Sequence, residues 1–157
     1  ALKAPITVTD LKADPTDATG NSFYVAIAFQ GVFHSSDGGK TWTKVFPRES
    51  EIVSEKYFGD HGNYHIETTQ GSLYDSNIGE ITNIRVDPVS SMSLYFSMGK
   101  FFFYSNDNGI TWNKIECSSS IQFIYVNNEN LKNNYTFNFA LMTSLKVFPS
   151  ACPPERA

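Results

Sequence analysis

The chain has 157 residues, of which 41% are hydrophobic and 18% charged, a balance that fits one globular domain and excludes a disordered chain. The formal net charge is −4, from 12 Lys and Arg against 16 Asp and Glu, with no basic run, which excludes an electrostatic footprint for nucleic acid. No apolar stretch reaches the roughly 18 residues that a membrane span needs, and the longest cluster, Phe101 to Tyr104, is strand-sized.

The class expected is all-β. Thirteen Phe, 8 Tyr and 2 Trp enrich the chain in strand-favouring residues, and Gly, Pro, Asn, Asp and Ser recur at the short intervals of turns. The chain begins at Ala1 with no Met and no basic and apolar leader, as expected of a processed secreted chain or of part of a longer one.

Taken in order, the elements repeat. Leu11-Lys12-Ala13 is an apolar strand stopped at Asp14-Pro15, because proline restricts its predecessor and has no N–H for a ladder. A second strand starts at Tyr24-Val25-Ala26, a short turn follows, and a third strand leads into Ser35-Ser36-Asp37-Gly38-Gly39-Lys40-Thr41-Trp42. The same series returns as Ile84 to Pro88, then Tyr95-Phe96-Ser97, then Ser105-Asn106-Asp107-Asn108-Gly109-Ile110-Thr111-Trp112. The shared pattern is Ser-x-Asp-x-Gly-x-Thr-Trp at an offset of 70, and such internal repetition decides the fold.

An eroded third copy lies between the two. Tyr64, Gln70-Gly71, Asp75, Asn77 and Gly79 align with Tyr24, Gln30-Gly31, Ser35, Asp37 and Gly39, while the Thr-Trp end has become Ile81-Thr82. Either Ile81 to Val86 serves as one long shared strand, or this copy is a truncated blade. Beyond Trp112 the pattern fades, with a strand expected over Ile121 to Val126, two more within Tyr135 to Val147, and an Asn-rich loop over Asn127 to Asn134.

Each fixed residue of the repeat has a physical role in a tight turn between antiparallel strands. Asp37 and Asp107 accept hydrogen bonds from their own turn's backbone, and Gly39 and Gly109 supply a positive φ. Ser35, Ser105, Thr41 and Thr111 satisfy backbone groups at the turn edges, and Trp42 and Trp112 pack the turn against the sheet. Calcium is a poor fit, because the turn is shorter than an EF-hand loop and lacks its alternating carboxylates.

At these residues the sequence resembles the Asp-box (BNR) repeat families, over about Ile6 to Ile115. The resemblance implies antiparallel blades of a β-propeller, with the box in the hairpin joining a blade's third and fourth strands. It implies units at about 5–46, 50–82, 83–116 and a degenerate 120–150, hence three or four blades. Propellers close with about 4–8 blades, so the chain is expected to be part of a larger or multi-chain ring, with a self-contained small propeller or sandwich as the alternative. The group includes sialidases, xyloglucan-cleaving hydrolases, photosystem assembly propellers and sortilin-type sorting receptors, and the last fit best with the sequon and cysteine pair described next.

Cys117 and Cys152 permit one disulfide closing a loop of about 36 residues, with two free buried thiols as the alternative. Asn134-Tyr135-Thr136 is a candidate glycosylation site. Both favour an extracellular or secretory-lumen location.

Catalytic signals are thin. The chain has only Arg48, Arg85 and Arg156, in contexts unlike a sialidase's carboxylate clamp. Asp10, Asp60 and Glu67 lie outside the box turns and are the acids left for a two-carboxylate glycosidase. His61 and His65 stand four apart beside Asp60, but Gly59, Gly62 and Asn63 argue for a turn and strand that would separate the two rings. The expected function is therefore a non-catalytic interaction or scaffold module without cofactor or metal. Its expected partner is another protein or further blades, with a glycan-acting propeller hydrolase as the alternative. Expected contact loops are Pro47 to Gly62, including Tyr57 and Phe58, with Thr16 to Ser22 and Asn127 to Asn134.

Overall fold

Strand-forming runs and turn residues alternate so closely that, among the described residues, every regular element except one 3₁₀ turn is a strand. The computed structural model describes residues 6–58, 63–68, 80–88, 90–126 and 139–142. Strands β1 (Val8–Ala13), β2 (Phe23–Ile27), β3 (Gly31–Ser35) and β4 (Thr43–Phe46) form an antiparallel meander in the order β1-β2-β3-β4. The turn after β1 closes where Asp14-Pro15 foretold. The Asp14 carboxylate there accepts from the Thr16 amide at 2.9 Å and its hydroxyl at 2.7 Å.

Gly31 opens β3 at φ 118°, where a Cβ would stand 1.9 Å from the Phe46 carbonyl oxygen. The close approach of the start of β3 to the end of β4 leaves no room for a side chain.

After a 3₁₀ turn (Glu49–Glu51), β5 (Ile52–Phe58) and β6 (Asn63–Thr68) pair as a hairpin. Then β7 (Ile81–Asp87), β8 (Ser90–Met98), β9 (Phe101–Ser105) and β10 (Asn113–Glu116) repeat the first meander in the order β10-β9-β8-β7. A last antiparallel pair, β11 (Phe123–Val126) and β12 (Phe139–Met142), follows.

The two four-stranded sheets pack directly on each other. Tyr24, Ala26, Val32 and Phe46 of the first share a core with Ile81, Ile84, Phe96, Phe103 and Trp112 of the second. Phe46 meets Phe96 edge-on at 4.4 Å and Trp112 at 5.5 Å, while Phe96 stacks on Phe103 at 4.8 Å. Each of these fully buried aromatics contributes roughly 1.5–3 kcal/mol of transfer free energy, with geometry-dependent ring contacts in addition.

The first strands of the units stand side by side. Thr9 Oγ1 donates to the Ile81 carbonyl at 2.6 Å, joining β1 to β7. Asn83 Nδ2 donates to the Gln122 carbonyl at 3.3 Å and Arg85 Nε to the Ile124 carbonyl at 3.0 Å, joining β7 to β11. This row, β1–β7–β11, is the inner edge of successive antiparallel blades, and the architecture is an all-β propeller.

The segment given to an eroded third copy is described only in part. Among the described residues it is the two-stranded hairpin β5–β6, and β7 belongs to the second meander. Lys44 Nζ on β4 meets Glu55 Oε1 on β5 at 2.5 Å, and Ile66 is buried in the shared core with Ile52 against it. Asp75, Asn77 and Gly79 lie outside the described residues.

Candidate functional site: an open-end cleft and the two Asp-box turns

The two boxes close in the same way. Ser35 Oγ donates to Asp37 Oδ1 at 2.8 Å and accepts from the Gly39 amide at 2.9 Å, and the Thr41 amide and hydroxyl donate to Asp37 at 2.9 and 2.7 Å. In the second box Ser105 donates to Asp107 at 2.8 Å and accepts from Gly109 at 2.9 Å, and Thr111 donates to Asp107 at 2.8 and 2.5 Å. Gly39 and Gly109 sit at φ 85° and 79°.

The Thr41 amide and hydroxyl hold the exposed Asp37 carboxyl at a pKa of about 2. Burial pushes Asp107 upward, but the hydrogen bonds from Thr111 and Ser105 outweigh it and leave its pKa below the usual carboxylate value. Both carboxylates are spent on their own turns, and no cluster of metal-ligating side chains occurs among the described residues.

The two box tryptophans differ. Trp42 Nε1 donates to Gly39 of its own turn at 2.9 Å, whereas Trp112 Nε1 reaches across to the Val45 carbonyl of the first sheet at 2.9 Å. Trp112 is therefore a clamp between blades as well as a cover for its turn. A second tie runs the other way, from the Tyr24 hydroxyl to Asn108 Oδ1 inside the second box. Burial, with the Asp14 charge in addition, pushes the Tyr24 hydroxyl pKa well above its ordinary value, so the phenol stays a donor.

Beside Tyr24 lies a polar cluster that sequence reading missed. His34 stacks on the Tyr24 ring at 4.5 Å, and its Nε2 is 3.0 Å from Ser22 Oγ, which is 3.4 Å from Asp14 Oδ2. Serine sits in the middle of this chain, so no nucleophile is activated by a histidine that a carboxylate orients. Desolvation lowers the His34 pKa and the nearby Asp14 charge opposes it.

Strand β9 runs from Phe101 into the box, so the Gly99 turn marks the opposite end of the blade. There an open cleft of about 590 Å³ is lined by Glu80, Thr82, Asn83, Met98, Gly99, Phe101, Ser120, Ile121 and Gln122. Asn83 holds φ 56°, an unusual conformation for a side-chain-bearing residue, and its amide nitrogen also binds Thr82 Oγ1 and Ser97 Oγ at 3.2 and 3.0 Å. Among the described lining residues Glu80 is the one carboxylate.

At the same end of the first blade, Phe29 takes φ 60° where the repeat places Gly99 at φ 59°. Neither position stood out in sequence. The only signal was a mismatch between copies, phenylalanine against glycine 70 residues on.

Among the described residues, the candidate acids Asp10 and Glu67 do not line this cleft. Asp10 pairs with Lys12 at 2.8 Å and Arg85 at 3.5 Å. Glu67 is exposed on β6 and accepts from Ser54 at 2.9 Å. Arg85 is held by the Ile84 and Ile124 carbonyls, and Arg48 by Glu51 at 2.9 Å. Asp60, His61, Arg156, Asn134 and Cys152 lie outside the described residues, as do the side chains of Tyr57, Phe58 and His65. Cys117 is buried beside Ile121 and Ile124. No helix among the described residues is long and apolar enough to cross a membrane.

Residues 33–44 and 103–114 match the model of the BNR/Asp-box repeat, so the chain carries two such repeats. No curated protein matches it. Among solved structures it is similar to an ancestral GH74 enzyme, at 19% identity and a TM-score of 0.32, over 75% of this chain and 20% of that one. The chain thus spans about a fifth of that enzyme's length.

Proposed function

We propose that this chain is a non-catalytic β-propeller module that binds a macromolecular partner, protein or further blades, along its row of inner strands. The observation that carries this reading is a contrast within the row. In the middle strand, Ile81 and Ile84 are 0% and 2% exposed because the first blade covers them. In β1, Val8 and Leu11 occupy the corresponding positions at 54% and 51% exposure. Apolar side chains set at blade-packing positions and left in water favour a covering protein.

The alternative, a propeller acting on a glycan, needs two carboxylates about 5–10 Å apart in a cleft. Among its described lining residues the cleft has Glu80 as its one carboxylate, which favours the binding reading. Incubation with a panel of polysaccharides and oligosaccharides tests it. The expected result is no release of reducing ends; hydrolysis that disappears on Glu80→Gln would replace the binding reading with the enzymatic one.

The location we propose is extracellular or luminal, supported by the Asn134 sequon and by a sequence with one cysteine pair, Cys117 and Cys152. Intact mass under non-reducing conditions tests the pairing. Two alkylatable thiols would contradict both it and the location.

A further inference from the structure

The chain holds one Asn-Gly pair, Asn108-Gly109, and it stands in the second box, where the first box has Gly38-Gly39. Asparagine followed by glycine is open to self-modification, because no side chain shields the glycine nitrogen from the asparagine carboxamide. That nitrogen attacks Cγ of the asparagine. The N–Cγ bond forms, the Cγ–Nδ2 bond breaks, and ammonia leaves carrying the glycine amide proton. The resulting succinimide then adds water and opens to aspartate or isoaspartate.

Two contacts hold this reaction back in the folded chain. The Gly109 N–H donates to Ser105 Oγ at 2.9 Å, which keeps that nitrogen engaged as a donor. Asn108 Oδ1 accepts from the Tyr24 hydroxyl, which ties the carboxamide to the first sheet. The backbone is fixed as well, since the Asn108 amide donates to the Met92 carbonyl at 2.9 Å and the pair sits at φ 60° and 79°. Asn108 is exposed, so water reaches it. Tyr24 is buried in the core that the two sheets share and stacks on His34, so its hydroxyl moves off Asn108 when the sheets part at that point.

We propose that Asn108 is a self-deamidation site guarded by the joint between the two blades, converting when Tyr24 releases it. Conversion is a one-way change in that joint. Aspartate sets a second carboxylate beside Asp107. Isoaspartate adds a methylene to the backbone of a turn closed by bonds that span four residues, so the box no longer closes as before.

Peptide mapping of the full chain during incubation at neutral pH reads the conversion, as the mass gain of amide to acid at Asn108. The chain unfolded in urea sets the unguarded rate, and the folded native chain should convert far more slowly. Tyr24→Phe removes one hydroxyl and should convert roughly two- to tenfold faster than the native chain while folded, the factor that losing one hydrogen bond implies. In urea the two should convert alike. Trp42→Ala lowers stability without touching either guard and should stay at the native rate. If Tyr24→Phe does not fold, the native chain is followed in rising urea, where conversion should quicken before circular dichroism is lost.

A folded native chain that converts at the unfolded rate overturns the proposal. So does a Tyr24→Phe rate equal to the native one or matched by Trp42→Ala, and so does conversion in rising urea that quickens only with global unfolding.

Discussion

Trp112 donates its indole N–H to the carbonyl of Val45, a residue 67 positions earlier on the neighbouring sheet, while Trp42 at the equivalent place donates to Gly39 in its own turn. One repeat motif thus makes two different contacts, one within its turn and one across to the neighbouring sheet. Trp112 is 7% exposed and wedged between Phe46 and Phe96.

Trp112→Ala should therefore lower unfolding free energy by about 3–5 kcal/mol, the range for truncating a buried aromatic. Trp42→Ala should lower it by only on the order of 1–2 kcal/mol, as at a half-exposed site. Urea unfolding of both variants checks this, and equal losses would show that Trp112 does not clamp two blades.

Gly31→Ala sets a methyl group against the Phe46 carbonyl in a backbone conformation that side chains resist. The expected loss exceeds the roughly 1–3 kcal/mol of positive-φ strain, because β4 must also move. Gly99→Ala, with φ 59° and open space around its Cβ, should cost about 1 kcal/mol. Thermal unfolding of the pair separates strain from collision.

The repeat, the all-β class, the Asp-Pro stops and the box turns were legible because local chemistry dictates them. Asp37 and Asp107 bond within four residues of themselves, so a motif of that length carries the whole interaction. The packing of residues 52–68 was not legible, because Ile66 joins Phe46 and Phe96 in one core through long-range contacts that no local pattern encodes. The cleft was hidden for the same reason: Asn83 and Gln122 meet only once β7 and β11 stand side by side.

The boxes also predict an acid limit. Hydrogen bonding by Thr41 lowers the folded pKa of Asp37 from 3.8 to about 2, so the unfolded chain binds more protons in that interval. The stability this group contributes is complete above about pH 4 and is lost as pH falls toward 2. Asp37→Asn should flatten the fall in melting temperature between pH 4 and 2. An unchanged slope would mean that the carboxylate is not held by its turn.

His34 acts in the same direction at higher pH. Desolvation lowers its folded pKa below 6.5, so folding favours the neutral ring and stability declines as pH falls below 6.5. An NMR titration should place His34 below the value of a free histidine, and His34→Gln should remove that part of the decline. A titration at or above 6.5 would contradict the burial of the ring beside Tyr24.

The central claim, that the open edge of the inner row is covered by protein, is tested most directly by hydroxyl-radical footprinting of the protein in its native extract. Val8 and Leu11 should be modified as slowly as the buried Ile84, while Ile110, 65% exposed beside the second box, stays fully reactive. Val8 and Leu11 reacting as freely as Ile110 would contradict it.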